Sequence, residues 1–353
     1  MSEPTILERV FYPGGVEPWS RRALLAPLTG LSWAFGAGVW ARGALYTGGV
    51  LRPERVEGVR VVSVGNLHVG GTGKTPAVLH LAQQLIAAGR RVGVLSRGYG
   101  RTAKRPYAFQ GRALLPSPEE VGDEPLLIAK RCPEAWVFVG PDRRALARQA
   151  RDEHGLDTLL LDDGFQHRKL ARDEDLVVLD ASAGLGNGHL LPRGPLREPP
   201  SALHRATLFW VREGAGPAAP LPALPGPVVR VRYAPSAWIE PSGAALPPAA
   251  LQGAPVLALA GLARPAGFLA TLRSLGTDLR GTALFPDHHR FSAAELREVS
   301  AKAEQLGARV VTTEKDAVRL PPSFACWQVR LEVQVMEGEA HLRRALGLSS
   351  SLG

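Results

Sequence analysis

Val59-Arg-Val-Val-Ser-Val64 followed closely by Val69-Gly-Gly-Thr-Gly-Lys74-Thr75-Pro76 decides the fold. The first run is β-branched and apolar and reads as a buried strand. The second is glycine-rich and leads directly into Pro76 to Ala88, which reads as a helix. Strand, glycine loop and helix in that order are what a P-loop requires. Glycines let backbone N–H groups turn inward around phosphate oxygens, and the helix N-terminus adds the positive end of its dipole. Gly70, Gly71, Thr72, Gly73, Lys74 and Thr75 are therefore the candidate phosphate loop. Lys74 is placed to reach β- and γ-phosphates and the Thr75 hydroxyl to ligate Mg²⁺. The generic pattern has glycine five residues before Gly73, where this chain has His68. The alternative, a glycine turn with an incidental lysine, leaves the flanking strand and helix unexplained.

Further strand and helix signals alternate on both sides of this unit. Arg91 to Leu95, Trp136 to Val139, Thr158 to Leu161 and Asp175 to Leu179 are short apolar runs separated by helix-length segments. That spacing predicts βαβ units and a mostly parallel sheet. Gly214 to Pro227 is a Pro/Gly/Ala tract that reads as a linker. Beyond it, strands over Val256 to Ala260, Arg309 to Thr313 and Trp327 to Val335 and helices over Pro265 to Ser274 and Ala293 to Gln305 suggest a second α/β region. The expected division is 1–50, a membrane-associating helical segment; 51–213, the P-loop core; 214–227, the linker; and 228–353, a C-terminal α/β domain.

P-loop enzymes need a carboxylate at the end of a second strand. Thr158-Leu-Leu-Leu-Asp162-Asp163-Gly164-Phe-Gln166-His167 supplies a pair where an open parallel sheet binds ligands; an Asp-Asp-Gly turn is the bland alternative. In Val121-Gly-Asp123-Glu124-Pro125, Asp123 reads equally as a general base or a helix N-cap. Arg97, in Ser96-Arg97-Gly-Tyr99-Gly100 after the second strand, reads as a phosphate contact or part of a surface loop. Asn187 to Pro199 carries Arg193 and Arg197, a candidate anion clamp or a solvated loop. The adjacent His288 and His289 suit acid–base chemistry more than zinc, since no second cluster has metal spacing. Thr313-Glu314-Lys315-Asp316 reads as an ion-pair network.

The chain has 353 residues and a net charge of +9, nearly all of it from Arg. The charge favours anionic partners, but no aromatic-interleaved basic stripe or RNP-like spacing points to nucleic acid. Cys132 and Cys326 are far apart and outside any CxxC, which fits a reducing compartment. Ala23 to Ala41 has no charge and lies between Arg22 and Arg42. A signal peptide fits poorly, because basic residues close both ends. The length just reaches the roughly 20 residues of a membrane span. Gly, Ser, Thr and Pro dilute it, and Trp33 and Trp40 favour the headgroup region. An interfacial helix, a span and an ordinary buried helix all remain open.

GNLHVGGTGKTP, SRGYG, VGDEP, DDGFQHRKLARD, GNGHLLPRGPLREP, PDHHRF and TTEKDAVRL stand in the order, and at roughly the spacing, seen in the tetraacyldisaccharide 4′-kinases of lipid A synthesis. The chain resembles that family from about Val61 to Leu320 and in its basic-flanked N-terminal segment. The replaced first P-loop glycine is a feature of the family too. The resemblance implies an α/β fold: a P-loop NTPase-like α/β/α core with a mostly parallel sheet, plus a smaller C-terminal α/β domain. It implies ATP and Mg²⁺, and transfer of the γ-phosphate to the 4′-hydroxyl of a tetraacylated glucosamine disaccharide 1-phosphate. Thr75, Asp162 and Asp163 then resemble the Mg²⁺ site, with Glu198 a contributor. Asp123 supported by His288 resembles the group handling the hydroxyl proton, and Gln166, His167, Arg193 and Arg197 the wall of the cleft. The implied partners are the acylated disaccharide and membrane lipids, with no nucleic acid and no obligate protein partner. The implied location is the cytoplasmic face of the bacterial inner membrane, peripheral or monotopic. Two rivals are a membrane-associated ATPase switch of the ParA/MinD kind and a soluble small-molecule kinase. Val69 stands where the first carries a signature Lys.

Overall fold

The computed structural model describes residues 6–13, 17–112, 115–214 and 218–348. Helices α1 (Ile6–Phe11), α2 (Trp19–Leu24) and α3 (Ala26–Thr47) open the chain. There follow β1 (Arg60–Gly65), α4 (Lys74–Ala87), β2 (Val92–Ser96), β3 (Tyr107–Gln110), α5 (Pro118–Val121), α6 (Asp123–Arg131), β4 (Trp136–Val139), α7 (Arg143–Asp152), β5 (Thr158–Asp162), β6 (Glu174–Asp180) and β7 (Leu208–Glu213). The remainder is β8 (Val228–Ile239), β9 (Ala245–Leu246), β10 (Pro255–Gly261), α8 (Ala266–Ser274), β11 (Asp278–Phe285), α9 (Ala293–Gln305), β12 (Arg309–Thr313), α10 (Glu314–Ala317), β13 (Trp327–Glu337) and α11 (Glu339–Ala345). The described residues form two compact units: those within 1–74, 147–231 and 335–353 make the first, and those within 75–146 and 232–334 the second.

In the first unit β1 lies between β5 and β6, parallel to both, and β6 pairs in parallel with β7. Both faces of these strands are covered, so their centres are runs of apolar residues rather than alternating ones. Val61, Val62 and Val64 of β1 and Leu159, Leu160 and Leu161 of β5 are all buried. Burial of each such side chain contributes about 1.5–3 kcal/mol. The register sets Val64 opposite Asp162, so the acidic pair emerges level with the end of β1. A Cβ at Gly65 would lie 2.5 Å from Phe165 Cβ. Only glycine lets the turn after β5 pack this closely on the strand that feeds the phosphate loop.

In the second unit β4 pairs in parallel with β2 and antiparallel with β3. β10 lies between β11 and β12, parallel to both, and β12 pairs in parallel with β13. Alternation along β10 feeds two cores. Val256, Ala258 and Ala260 face Phe268, Leu269 and Leu272 of α8, whereas Leu257 and Leu259 face Leu296, Val299 and Ala303 of α9.

Five strands did not stand out in the sequence: β3, β7, β8, β9 and β11. β8 buries Val229 and Val231 and exposes Arg230 and Arg232, and it runs on through Pro235. Proline and charge both weaken a strand signal. β11 carries Gly281 beside a register shift against β10. Residues 215–217 of the Pro/Gly tract lie outside the described residues. Leu221 and Leu224 of the same tract pack on the core formed by Leu179, Phe209 and their neighbours.

α3 inverts the usual amphipathic rule. Its one buried residue is Ser32, whose hydroxyl donates to Leu190 O at 2.8 Å. A Cβ at Gly36 would lie 2.9 Å from Leu190 Cδ1, so small residues form the packed face. Trp33 and Trp40 are 75% and 74% exposed, and Trp19, Leu24 and Leu31 are exposed as well. The buried-helix alternative is therefore corrected. Glycine and serine, not the apolar residues, make the tight contacts. Among the described residues, no helix is long and apolar enough to cross a membrane.

Candidate active site

The loop between β1 and α4 has glycines where the backbone needs them. Gly70 and Gly73 take φ of 95° and 84°, which L side chains avoid. A Cβ on Gly70 or Gly71 would meet no protein atom within 4 Å, so protein packing does not explain the missing side chains. Open space over backbone N–H groups at a helix start suits a phosphate chain. Asn66 Nδ2 donates to Thr72 Oγ1 at 2.6 Å and ties the loop to the end of β1. His68 is fully buried, and its ring centroid is 6.4 Å from that of Tyr12. That inward placement accounts for a side chain where the generic loop has glycine.

Lys74 Nζ is 3.3 Å from Asp163 Oδ1, and Arg197 donates from NH1 to Asp163 Oδ2 at 2.7 Å. Asp163 adopts φ 53°, a left-handed conformation uncommon outside glycine. Burial pushes its carboxyl up, but the Lys74 and Arg197 charges more than reverse this and hold it below the usual range. Gln166 Nε2 donates to Asn66 O at 3.0 Å, and Arg197 NH1 reaches Gln166 Oε1 at 3.4 Å. Lys74, Asp163, Gln166 and Arg197, all expected at the site, thus form one group. Asn66 belongs to it too. Its sequence signals are its place directly after Gly65 at the strand end and within the GNLHVGGTGKTP run.

Other expected residues lie elsewhere in this unit. Arg193 is 2% exposed and ion-paired with Glu17, and its backbone N–H donates to Ser32 Oγ at 3.1 Å. It secures the N-terminal helices rather than joining the Asp163 group. Glu198 accepts from both terminal nitrogens of Arg205, at 2.6 and 3.2 Å, so its two oxygens are already engaged. Asp162 is buried. His167 is half-buried, its backbone N–H donating to Gly164 O at 2.8 Å. Among the described residues, no three His, Cys, Asp or Glu side chains are grouped to hold a metal ion. Mg²⁺ takes only one or two protein carboxylates beside phosphate and water. The oxygen donors Asp162 and Asp163, with Asp163 Oδ1 buried and facing the Lys74 ammonium, fit that modest demand, and Thr75 follows Lys74 directly in the chain.

The second unit brings Asp123 and His288 together. Gly122, at φ 93°, occupies the N-cap of α6, so Asp123 is not the cap. Its side chain instead meets His288 Nδ1 at 2.9 Å through Oδ2. A carboxylate only accepts, so Nδ1–H is the donor when Asp123 is ionised. His288 sits at φ 57°, a conformation unusual for a bulky residue and of the kind that clusters at functional sites. His289 turns the other way. It stacks on Phe285 at 4.6 Å and bonds Glu295 through Nε2 at 3.0 Å. The two histidines therefore separate into one facing Asp123 and one in local packing. Asp123, His288, Tyr99, Arg290 and Arg319 line an open pocket. Arg97 is exposed on the loop before Tyr99. Lys315 Nζ lies 3.3 Å from Glu124 and 3.7 Å from Asp287. Burial lowers its pKa, yet the surrounding carboxylates outweigh burial and keep it cationic. Arg319 gave no sequence signal beyond its place in the TTEKDAVRL run.

Strand, glycine loop and helix, with a lysine facing a strand-end carboxylate, define a P-loop nucleotide-binding protein. The family model for tetraacyldisaccharide-1-P 4′-kinase, LpxK, matches residues 22–348. The chain belongs to that family. It is 47% identical over 364 residues to the tetraacyldisaccharide 4′-kinase of Anaeromyxobacter sp. (strain Fw109-5), covering 99% of this chain and 98% of that protein. It is 51% identical over 343 residues to the enzyme of the same name from Anaeromyxobacter dehalogenans (strain 2CP-C), covering 91% and 89%. The crystal structure of the "apo" form of LpxK from Aquifex aeolicus in complex with ATP is 30% identical, with a TM-score of 0.76 over 93% of this chain and 98% of that one.

Proposed function

We infer that this chain transfers the γ-phosphate of ATP to the 4′-hydroxyl of a tetraacylated glucosamine disaccharide 1-phosphate at a membrane surface. The observation that carries this is the Asp123–His288 hydrogen bond at an open pocket. An ATPase switch has no sugar proton to remove, whereas a sugar kinase needs an acceptor for it.

Phosphoryl transfer depends on positioning and charge neutralisation. The loop 70–75 holds the phosphates through backbone N–H groups, and Lys74 counters their charge. Arg197 keeps Asp163 in place beside Lys74. Thr75, Asp162 and Asp163 are the donors for Mg²⁺, which when bound neutralises phosphate charge. Asp123 takes the hydroxyl proton, and His288 orients the carboxylate through Nδ1. Gln166, His167 and Arg197 contribute to the wall of the site, and Arg97 is the exposed cation of the SRGYG loop. These groups come from one chain, so the proposal calls for no protein partner.

The acceptor's acyl chains stay in the bilayer, so the enzyme must come to it. Trp19, Trp33 and Trp40, flanked by Arg21, Arg22 and Arg42, suit the headgroup layer. ATP as donor and two free, buried cysteines are in keeping with the cytoplasmic face of the inner membrane and a peripheral or monotopic attachment.

The test is Asp123→Ala assayed with acylated acceptor in detergent micelles. The expected result is a fall in kcat of about 10²–10⁴-fold with little change in the KM for ATP. Unchanged kcat, or ATP hydrolysis that ignores the acceptor, would support the switch reading instead.

A further inference from the structure

The side chain of Arg319 is only 5% exposed, and three contacts anchor its guanidinium. NH1 donates to His289 O at 3.0 Å, NH2 donates to Gly261 O at 3.1 Å, and NH2 is also ion-paired with Asp316. Asp316 is itself wholly buried. It accepts from Gly261 N at 3.2 Å and from Thr313 Oγ1 at 2.8 Å. The guanidinium carbon lies 5.5 Å from the centre of the Phe291 ring. What remains is Nε, which is buried, has no hydrogen-bond partner and sits 3.4 Å from Asp123 Oδ2. That oxygen is the one His288 Nδ1 meets at 2.9 Å.

A buried donor without an acceptor costs free energy, and a buried cation needs a facing carboxylate. Both demands point Nε at Asp123. The same guanidinium grips the carbonyl of His289, the residue directly after the left-handed His288. We infer that Arg319 is a positioning residue for the Asp123–His288 pair. One planar fork, mounted on Gly261, His289 and Asp316, holds the Asp123 oxygen and the loop carrying His288 in mutual register. The inference rests on the reading of Asp123 as the group that takes the acceptor's proton, and Arg319 acts through Asp123. Lysine would keep the charge but lose the rigid fork, so it cannot make these contacts together.

The test is a double-substitution cycle in the full chain: Arg319→Lys, Asp123→Asn and both together. The readouts are kcat and the KM for ATP with acylated acceptor in micelles. Arg319→Lys is expected to lower kcat by about 10²-fold, as a small misplacement of a reacting group does, with the KM for ATP changed by less than about twofold. In the Asp123→Asn background the same substitution is expected to change kcat by less than about twofold, because its partner's role is already gone. Losses that multiply in the double variant, or an Arg319→Lys enzyme with unchanged kcat, would overturn the positioning role and leave the Asp123 reading standing. Wild-type kcat in Asp123→Asn alone would overturn that reading, and the inference with it. Should Arg319→Lys lack a cooperative thermal transition, Arg319→Gln carries the same cycle with the same deciding outcomes.

Discussion

Asp163 faces two cations, Lys74 and Arg197. Its carboxyl is held low, so the sign of its linkage is fixed. Its contribution to stability is present at neutral pH and is lost as pH falls from about 4 through the lower folded value. Asp163→Asn should therefore lose less stability than wild type between about pH 5 and pH 2, read by thermal unfolding. Its neighbour Asp162 is proposed to hold the ion together with it. Asp162→Asn should raise the half-saturating Mg²⁺ concentration by about tenfold, the scale of one lost charged ligand or its support. An unchanged Mg²⁺ titration would remove Asp162 from the metal set. At this scale the sequence was informative where a motif fixes geometry: Gly70 to Lys74 and the Asp pair follow directly from strand ends. Arg193 and Glu198 show where it was not. An arginine in a Pro/Gly loop looks the same whether it awaits an anion or is buried against Glu17.

Helix α9 begins with a capping box: Ser292 Oγ accepts from Glu295 N, and Glu295 reaches back to Ser292 N at 2.8 Å. These bonds to Ser292 and that from His289 pull the Glu295 carboxyl down to about 2. The stability it gives is present above the ordinary glutamate value of about 4.3 and disappears as pH falls towards 2. Ser292→Ala should cost about 1 kcal/mol in denaturant unfolding at pH 7. That cost should shrink on acidification, as Glu295 is protonated. A pH-independent loss would mean the box is not the source. Elements with such local punctuation were readable, and the helix expected at Ala293 to Gln305 has those bounds. β8 was not, because its half-exposed arginines and Pro235 deny it an apolar run. Its stability comes from partners distant in sequence, which no local window contains.

At the scale of the whole molecule, the packed face of α3 is small and polar, while its tryptophans point outward. An exposed apolar patch of this kind marks an interaction surface, and the proposed lipid contact would use it. Trp33→Ser with Trp40→Ser should leave the thermal midpoint nearly unchanged, since neither ring is buried. It should weaken flotation with anionic vesicles by about tenfold or more. Binding that survives both substitutions would place the membrane contact elsewhere. The outward face was not readable from Ala23 to Ala41, because span, interface and core helices share that composition. Only Ser32 and Gly36 packed on Leu190 distinguish them.

Phosphate is expected to leave ATP for a lipid-borne hydroxyl rather than for water. γ-³²P-labelled ATP, Mg²⁺ and the acylated disaccharide 1-phosphate in detergent micelles test it directly. Label is expected on the lipid in proportion to ATP consumed, and none in Lys74→Ala. Label appearing only as inorganic phosphate, at a rate indifferent to the acceptor, would contradict it.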